Sequence, residues 1–507
     1  MADQVTSGAV SAPRPWTWLA GPMLLTLAVF AFPFAGLVDV AGHLALTGLA
    51  VVVLMAVFVG KPSAFPVSLI IATAAGGVLL DFGGTTPRLF FATATIAAYL
   101  LSAFIRKTLA TPPRRDSMAR SADGQLPAVT IVAVLLGVYL LLLVPSLGQI
   151  ESPQRSLYIL LMRAVTLIGA IVLARDPRMR ASHRDVLFAA MVAGSLIAGA
   201  YIVNAVALFR ATSFVELASA LAIKDNTIQV SVLGTTNTIA SFLAFTIPLS
   251  VAFLLAIGRG TRGRLFVIAA VVLQSFGLIA TASRGGVAAL LGGILVAALI
   301  CTTSIAQFRR LLGLVVVSSS LVVVGVLFAQ HALRDHFVAR FAVAALWDYI
   351  PRRVELWESS WRAFQQSPLI GIGVGNVGFF DRDFGTGEGA ESHNLVLQSL
   401  SEEGLVAAVV LVVVLLIIIR KNVRATRFAG SYQLWVVVAV TAALINAMVE
   451  PTFWQPGFAA LFWIAAVTLS RQADRVTGLA ASAAAAARLP VPSSQRPPGN
   501  AAPLLQS

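Results

Sequence analysis

His393 and three arginines, Arg284, Arg352 and Arg353, are the side chains in this sequence best suited to chemistry. An imidazole exchanges protons near neutral pH, and the forked donors of a guanidinium can hold two oxygens of a phosphate at once. His393-Asn394 opens a segment that ends at Glu403-Gly404, between an amphipathic stretch rich in Arg and Trp and a run of pure hydrocarbon. A basic imidazole at such a boundary, with arginines that topology can place on the same side, suits the handling of an anionic lipid-linked group. Arg284, in Thr281-Ala282-Ser283-Arg284-Gly285-Gly286, falls between two apolar runs. A charge there is costly unless paired or hydrated, which makes it a functional candidate; the alternative is a hairpin arginine snorkelling to water. Arg163, inside an apolar run, and Arg210, just past another, qualify more weakly.

The elements that must position these groups are set by the solvent. Of 507 residues 58% are apolar and only 11% charged, and the mean hydropathy is +0.88. A soluble domain holds about a quarter charged residues, so this chain belongs in a bilayer. The net charge of +14 would point to nucleic acid in a soluble protein. Here the basic residues fall in clusters between apolar runs, which reports topology instead and leaves no nucleic-acid partner. A single cysteine, Cys301, excludes an internal disulfide framework and a cysteine-built metal site. The histidines have no metal-ligand spacing: His331 and His336 have only Asp335 between them as a further ligand. No metal is expected.

Runs long enough to cross about 30 Å of hydrocarbon lie near 17-38, 42-59, 65-81, 88-105, 127-145, 157-174 and 186-208. A second series lies near 237-257, 265-282, 284-302, 311-329, 404-419, 432-449 and 456-470. The expected fold is an all-α polytopic bundle of about 12–14 spans with a large, partly helical outer loop. Basic clusters follow the even-numbered spans: Arg106 to Arg120, Arg175 to Arg184, Arg259 to Arg264, Arg309-Arg310 and Arg420 to Arg427. Both termini are therefore expected in the cytoplasm, and the first span is expected to be retained rather than cleaved. The organisation reads as an N-terminal segment 1-16, a first bundle part 17-329, the outer loop 330-403, a second bundle part 404-470 and a disordered tail 471-507. The tail turns to Ala, Pro, Ser and Gln, a composition without a core.

A loop as long as 330-403 is uncommon unless functional. Within it Leu356, Trp357, Trp361 and Phe364 share one helical face and arginines and glutamates the other flank, as in a helix lying at an interface. A surface helix with merely solvated arginines is the alternative. Gly371, Gly373, Gly375 and Gly378 then form a turn expected to be structural; it lacks the strand before it and the Lys-Ser/Thr after it that a nucleotide loop has.

Together these residues resemble the bacterial O-antigen ligase and Wzy-type polymerase superfamily, which includes protein O-oligosaccharyltransferases. Three landmarks match in order: Gly234-Thr235-Thr236-Asn237-Thr238-Ile239-Ala240, the Ser283-Arg284-Gly285 hairpin, and the outer loop with Arg352-X3-Leu356, Pro368 to Gly373 and His393-Asn394-X9-Gly404. Ala407 stands where the ligase pattern has Gly, Thr or Tyr. The resemblance implies an inverting, metal-independent and cofactor-free glycan transfer at the periplasmic face of the bacterial inner membrane. The donor would be a glycan on undecaprenyl diphosphate, and the acceptor lipid A-core, a lipid-linked glycan or a protein. It implies His393 as base and Arg284 and Arg352 on the diphosphate, with Arg353 and Arg210 in support. Glu403 and Asn394 are supporting residues; for Glu402 and Glu403 helix capping or interfacial solvation is the first reading, and orienting the imidazole the second. The remaining readings are a polyprenyl-glycan transporter, which would show related halves and broken midplane helices, and a scaffold of envelope assembly, which would need neither His393 nor Arg284.

Overall fold

The computed structural model describes residues 51–60, 64–75, 77–79, 88–109, 128–145, 153–175, 183–209, 235–257, 261–301, 313, 350–387, 389–429 and 431–488. The first expected span, apart from residue 313 the eleventh, and Arg210 lie outside them. The described helices are α1 (Val51–Gly60), α2 (Phe65–Ala75), α3 (Phe91–Leu109), α4 (Ala128–Leu142), α5 (Pro153–Arg175), α6 (His183–Phe209) and α7 (Thr236–Ala256). Then come α8 (Thr261–Ala280), α9 (Arg284–Cys301), α10 (Ile350–Gln366), α11 (Val377–Phe384), α12 (Leu395–Ala429), α13 (Ser431–Ala447) and α14 (Pro456–Arg488). Six of the described helices are long and apolar enough to cross a membrane, and the chain is an all-α polytopic bundle.

Three elements differ from expectation. The third span does not run as one helix through residue 81: α2 ends at Ala75, and the chain forms a short antiparallel pair, β1 (Gly77–Leu79) with β2 (Arg88–Phe90). The glycine pair Gly76-Gly77 accounts for the stop, since glycine costs a helix interior about 1 kcal/mol. The twelfth span starts at Gly404 as expected, but the segment before it, from Leu395, is helical and meets the span at a kink. The tail is helical as far as Arg488, because Ala480–Ala487 is made almost wholly of the strongest helix former.

Helix α7 is the hub. Most of its span is buried, and it packs against α6, α8, α9 and α13. Contact between α9 and α13 is close enough that a Cβ on Gly293 would meet the Ala442 backbone at 2.8 Å. Helices drawn together by small residues are the usual solution where lipid supplies no hydrophobic drive. An aromatic cluster of Phe245, Phe458, Phe462 and Trp463 fills the space between α7 and α14. By contrast, α12 presents Leu405, Val406, Val409, Val412, Val413 and Leu416 outward, an uncharged stripe suited to lipid.

Two polar ends result. At one, Lys421 pairs with Asp474 at 2.8 Å, Gln433 donates to Asn422, and Arg471 donates to the carbonyl of Leu173. This end holds the basic cluster of α12. At the other end lie the starts of α7, α9, α12 and α14 and the end of α13, and there the candidate residues gather.

Candidate functional site

The local scaffold begins with a break in α12. Gly404 has φ 81°, outside the helical region, so the helix kinks and frees its preceding carbonyls. Ser401 and Glu402 carbonyls accept from the N–H groups of Ile372 and Gly373 at 2.8 and 3.1 Å, while Leu405 N–H donates to Pro368 at 2.8 Å. The Pro368 to Gly373 turn and the Gly404 kink are thus one interlock. A Cβ on Gly404 would run into the Leu369 carbonyl, and one on Gly371 into the Glu402 carbonyl. The turn glycines are structural, as their composition suggested. Gly404→Ala is expected to destabilise the fold by about 1–3 kcal/mol through the positive φ alone, and by more through the clash; thermal unfolding in detergent measures it.

Upstream of that kink, Asn394 Oδ1 accepts from the N–H groups of Val396 and Leu397 at 3.0 and 3.1 Å, capping α12. Its side chain is a cap rather than a chemical group of the site. His393, just before it, has φ 51°, a conformation uncommon for side chains other than glycine. Ser392 brackets the turn: its hydroxyl donates to the Asn394 carbonyl at 3.0 Å and accepts from the Asn394 N–H.

The group facing His393 is Glu450. Its Oε2 lies 3.6 Å from His393 Nδ1, and its Oε1 accepts from Asn237 Nδ2 at 2.9 Å and sits 3.5 Å from Arg353 Nη2. Gly285 is the fourth wall: a Cβ there would stand 3.6 Å from Glu450 Cγ. The mid-chain landmark, the Ser-Arg-Gly hairpin and the outer loop therefore converge on one buried carboxylate, 7% exposed. Glu450 escaped the sequence reading. The available signal was its isolation, since no other acidic residue lies between Glu403 and Asp474. A buried polar layer holds its turn: Thr452 meets Ser241 at 3.1 Å, and Gln455 donates to Thr238 at 3.3 Å.

The arginines divide. Arg353 is buried on α10 and meets Glu450, whereas Arg352 is exposed. Of the two, the one expected in support stands at the cluster. Arg284 is half-buried as the first residue of α9, beside Gly285, with Ser283 Oγ accepting from Gly286 N–H at 3.3 Å as the cap. The inward face of α10 is Arg353, Leu356, Ser359, Ser360 and Ala363, while Trp361 of the aromatic face stays 47% exposed, as an interfacial helix would leave it. Small side chains let α10 seat against the bundle, which the larger rings would prevent.

Glu403 and Glu402 do not orient His393. Both are buried against Arg163, which pairs with Glu403 and lies 3.3 Å from Glu402. Tyr139 donates to Glu403 at 2.8 Å, and the Arg163 guanidinium covers the Trp454 ring at 4.6 Å. A second set of contacts shapes the approach to His393. Asp381, 1% exposed, accepts from Thr386 N–H and hydroxyl at 3.0 and 2.7 Å and from Ala390 N–H at 3.1 Å. Burial alone would raise the Asp381 carboxyl, but these hydrogen bonds outweigh it and hold it below the usual carboxylate range. A depressed carboxylate stabilises above its unfolded pKa of about 3.9 and loses that contribution as pH falls through the folded value. Amide exchange in 385–392 is therefore expected to quicken as pH falls below about 4, beyond its intrinsic pH dependence, and in Asp381→Asn already at neutral pH.

Among the described residues no group of three or more His, Cys, Asp or Glu side chains is placed to hold a metal ion. What the site offers is an imidazole 3.6 Å from a carboxylate, with the Arg353 guanidinium 3.5 Å from that same carboxylate. No curated protein matches the chain. Residues 269–412 match the family model described as O-antigen ligase, a segment that contains Arg284, Arg353 and His393 but ends before Glu450. That match supports the resemblance of this segment to the O-antigen ligase and Wzy-type polymerase superfamily.

Proposed function

We propose that this protein is a metal-independent, inverting membrane glycosyltransferase that moves a glycan from undecaprenyl diphosphate to an acceptor hydroxyl at the periplasmic face of the bacterial inner membrane. The observation that carries the reading is the pairing of His393 with Glu450 beside Arg353, at the bundle end opposite the basic cluster of α12. Basic residues mark the cytoplasmic side, so the site faces outward and both termini inward.

In this mechanism the acceptor hydroxyl gives its proton to His393 Nε2, the ring nitrogen turned away from Glu450. The acceptor oxygen bonds to the anomeric carbon as the bond from that carbon to the diphosphate oxygen breaks, its electron pair leaving with the diphosphate. A single displacement inverts the anomeric configuration. Glu450 holds Nδ1 and stabilises the imidazolium that forms; their 3.6 Å separation is one that substrate binding commonly tightens. Arg353 and Arg284 stabilise the charge growing on the diphosphate, with Arg352 and Arg210 in support. The polyprenyl chain lies among the apolar helices.

Lipid A-core is the acceptor preferred here. Ala407, the departure from the ligase pattern, is 1% exposed within helix packing, so it bears on the bundle rather than on the acceptor. Purified protein reconstituted in EDTA with undecaprenyl-diphosphate glycan tests this against three acceptors. Glycosylated lipid A-core is the expected product. Longer lipid-linked chains would instead make it a polymerase and a glycoprotein product a protein transferase. No transfer by folded protein with donor bound would favour transport or scaffolding.

A further inference from the structure

Arg163, Glu402 and Glu403 form a buried ionic cluster that no step of the transfer uses, and the elements it joins are those that carry the facing pair. Glu402 and Glu403 close the outer segment of α12, residues 395–403, whose first turn follows His393. At 1.5 Å per residue that helical segment is about 14 Å long, so a shift at one end is carried to the other. Trp454 stands in the connection between α13 and α14, four residues after Glu450. The Arg163 guanidinium touches both arms: it pairs with the carboxylates of the first and covers the indole of the second at 4.6 Å. Tyr139 repeats the connection from α4. Its hydroxyl donates to Glu403 at 2.8 Å, and its ring stacks on Trp454 with centroids 5.9 Å apart. Trp454 Nε1 has no hydrogen-bond partner among the described residues, so the indole is held by its faces. The polar partners of Glu450 among the described residues are His393, Asn237 and Arg353, and the cluster therefore reaches the pair only through the chain.

We propose that Arg163 is a positioning residue for the transfer: together with Tyr139 it clamps Glu402 and Glu403 to Trp454, and so sets the spacing between His393 and Glu450. This role rests on the transferase reading for the reaction, and on the contacts for the spacing. A buried ion pair often stabilises a fold no more than apolar side chains of the same volume would. What its forked bonds add is geometric specificity, and a displacement of about 1 Å in a catalytic site can cost about 10²-fold in rate.

Spacing and turnover are read separately, on the full chain in nanodiscs. Nitrogen NMR signals of the His393 ring, identified by their loss in His393→Ala, report its surroundings without turnover. Glu450→Gln gives their positions when the facing carboxylate is gone. Trp454→Leu is expected to move these signals toward the Glu450→Gln positions and to lower kcat by about 10–10²-fold with KM little changed. Trp454→Phe, which keeps an aromatic face for Arg163, should recover most of both. Should Trp454→Leu fail to fold, Tyr139→Phe, which keeps the ring stack but loses the bond to Glu403, is read in the same way. Displaced signals in a protein whose unaltered form transfers nothing support the clamp while removing the transferase. Unmoved His393 signals in the folded variant overturn it, as does an unchanged kcat in a protein that turns over; a lowered thermal midpoint alone would then make the cluster structural only.

Discussion

His393→Ala is expected to lower glycan transfer by about 10²–10⁴-fold, the usual contribution of a positioned general base, in protein that remains inserted and folded. The folding half of this expectation comes from the local structure: His393 is a quarter exposed, and its turn is held by Ser392 and Asn394 rather than by the imidazole. The catalytic half depends on Glu450, 3.6 Å from His393 Nδ1 and not hydrogen-bonded to it, closing on the ring when substrate binds. Glu450→Gln separates the two functions, because the amide keeps size and hydrogen bonding but cannot stabilise an imidazolium. It is expected to lower kcat more than it raises KM for the acceptor, with Glu450→Asp recovering part of the rate. Transfer at the normal rate by folded His393→Ala protein would remove the assigned base. An unchanged kcat in folded Glu450→Gln protein would reduce Glu450 to a structural contact.

Arg163→Leu carries the largest expected effect on stability. Arg163, Glu402 and Glu403 have side chains no more than 2% exposed, and removing one partner of a buried ion pair costs about 3–5 kcal/mol because the remaining charges are stranded. Two carboxylates would be stranded here. The loss would also propagate, since Arg163 joins α5 to the outer segment of α12 and to Trp454, which lies in the turn carrying Glu450. A large fall in the thermal midpoint in detergent is expected. Arg163→Lys should recover little, because a single ammonium cannot reproduce the fork. Adding Glu402→Gln and Glu403→Gln to Arg163→Leu should restore much of the midpoint. An unaltered midpoint in Arg163→Leu would show that the cluster does not hold these elements together.

Much of the architecture was readable from composition and pattern because a bilayer imposes it. Apolar runs must be helices where no water can satisfy the backbone. The outer loop, the Ser-Arg-Gly hairpin and His393 were found because each interrupts that monotony. What escaped is long-range contact. Helical periodicity in an amphipathic segment marks an apolar face but not what the opposite flank meets, so the inward seating of Arg353 on α10 was not legible. Glu402 and Glu403 share a segment with His393 in sequence but no contact in space, and Glu450, which does face it, lies in a different segment.

The sequence by itself determined the solvent, the helical class, the two-sided distribution of charge and the family-like order of landmarks, all of which follow from local composition and short-range spacing. Only the tertiary structure decided which carboxylate faces His393, which of Arg352 and Arg353 reaches it, and that Glu402 and Glu403 belong to Arg163. Those pairings join residues as far apart as Asn237 and Glu450, and they are set by how α7, α9, α10 and α12 pack around one another, a long-range relation that no single segment encodes.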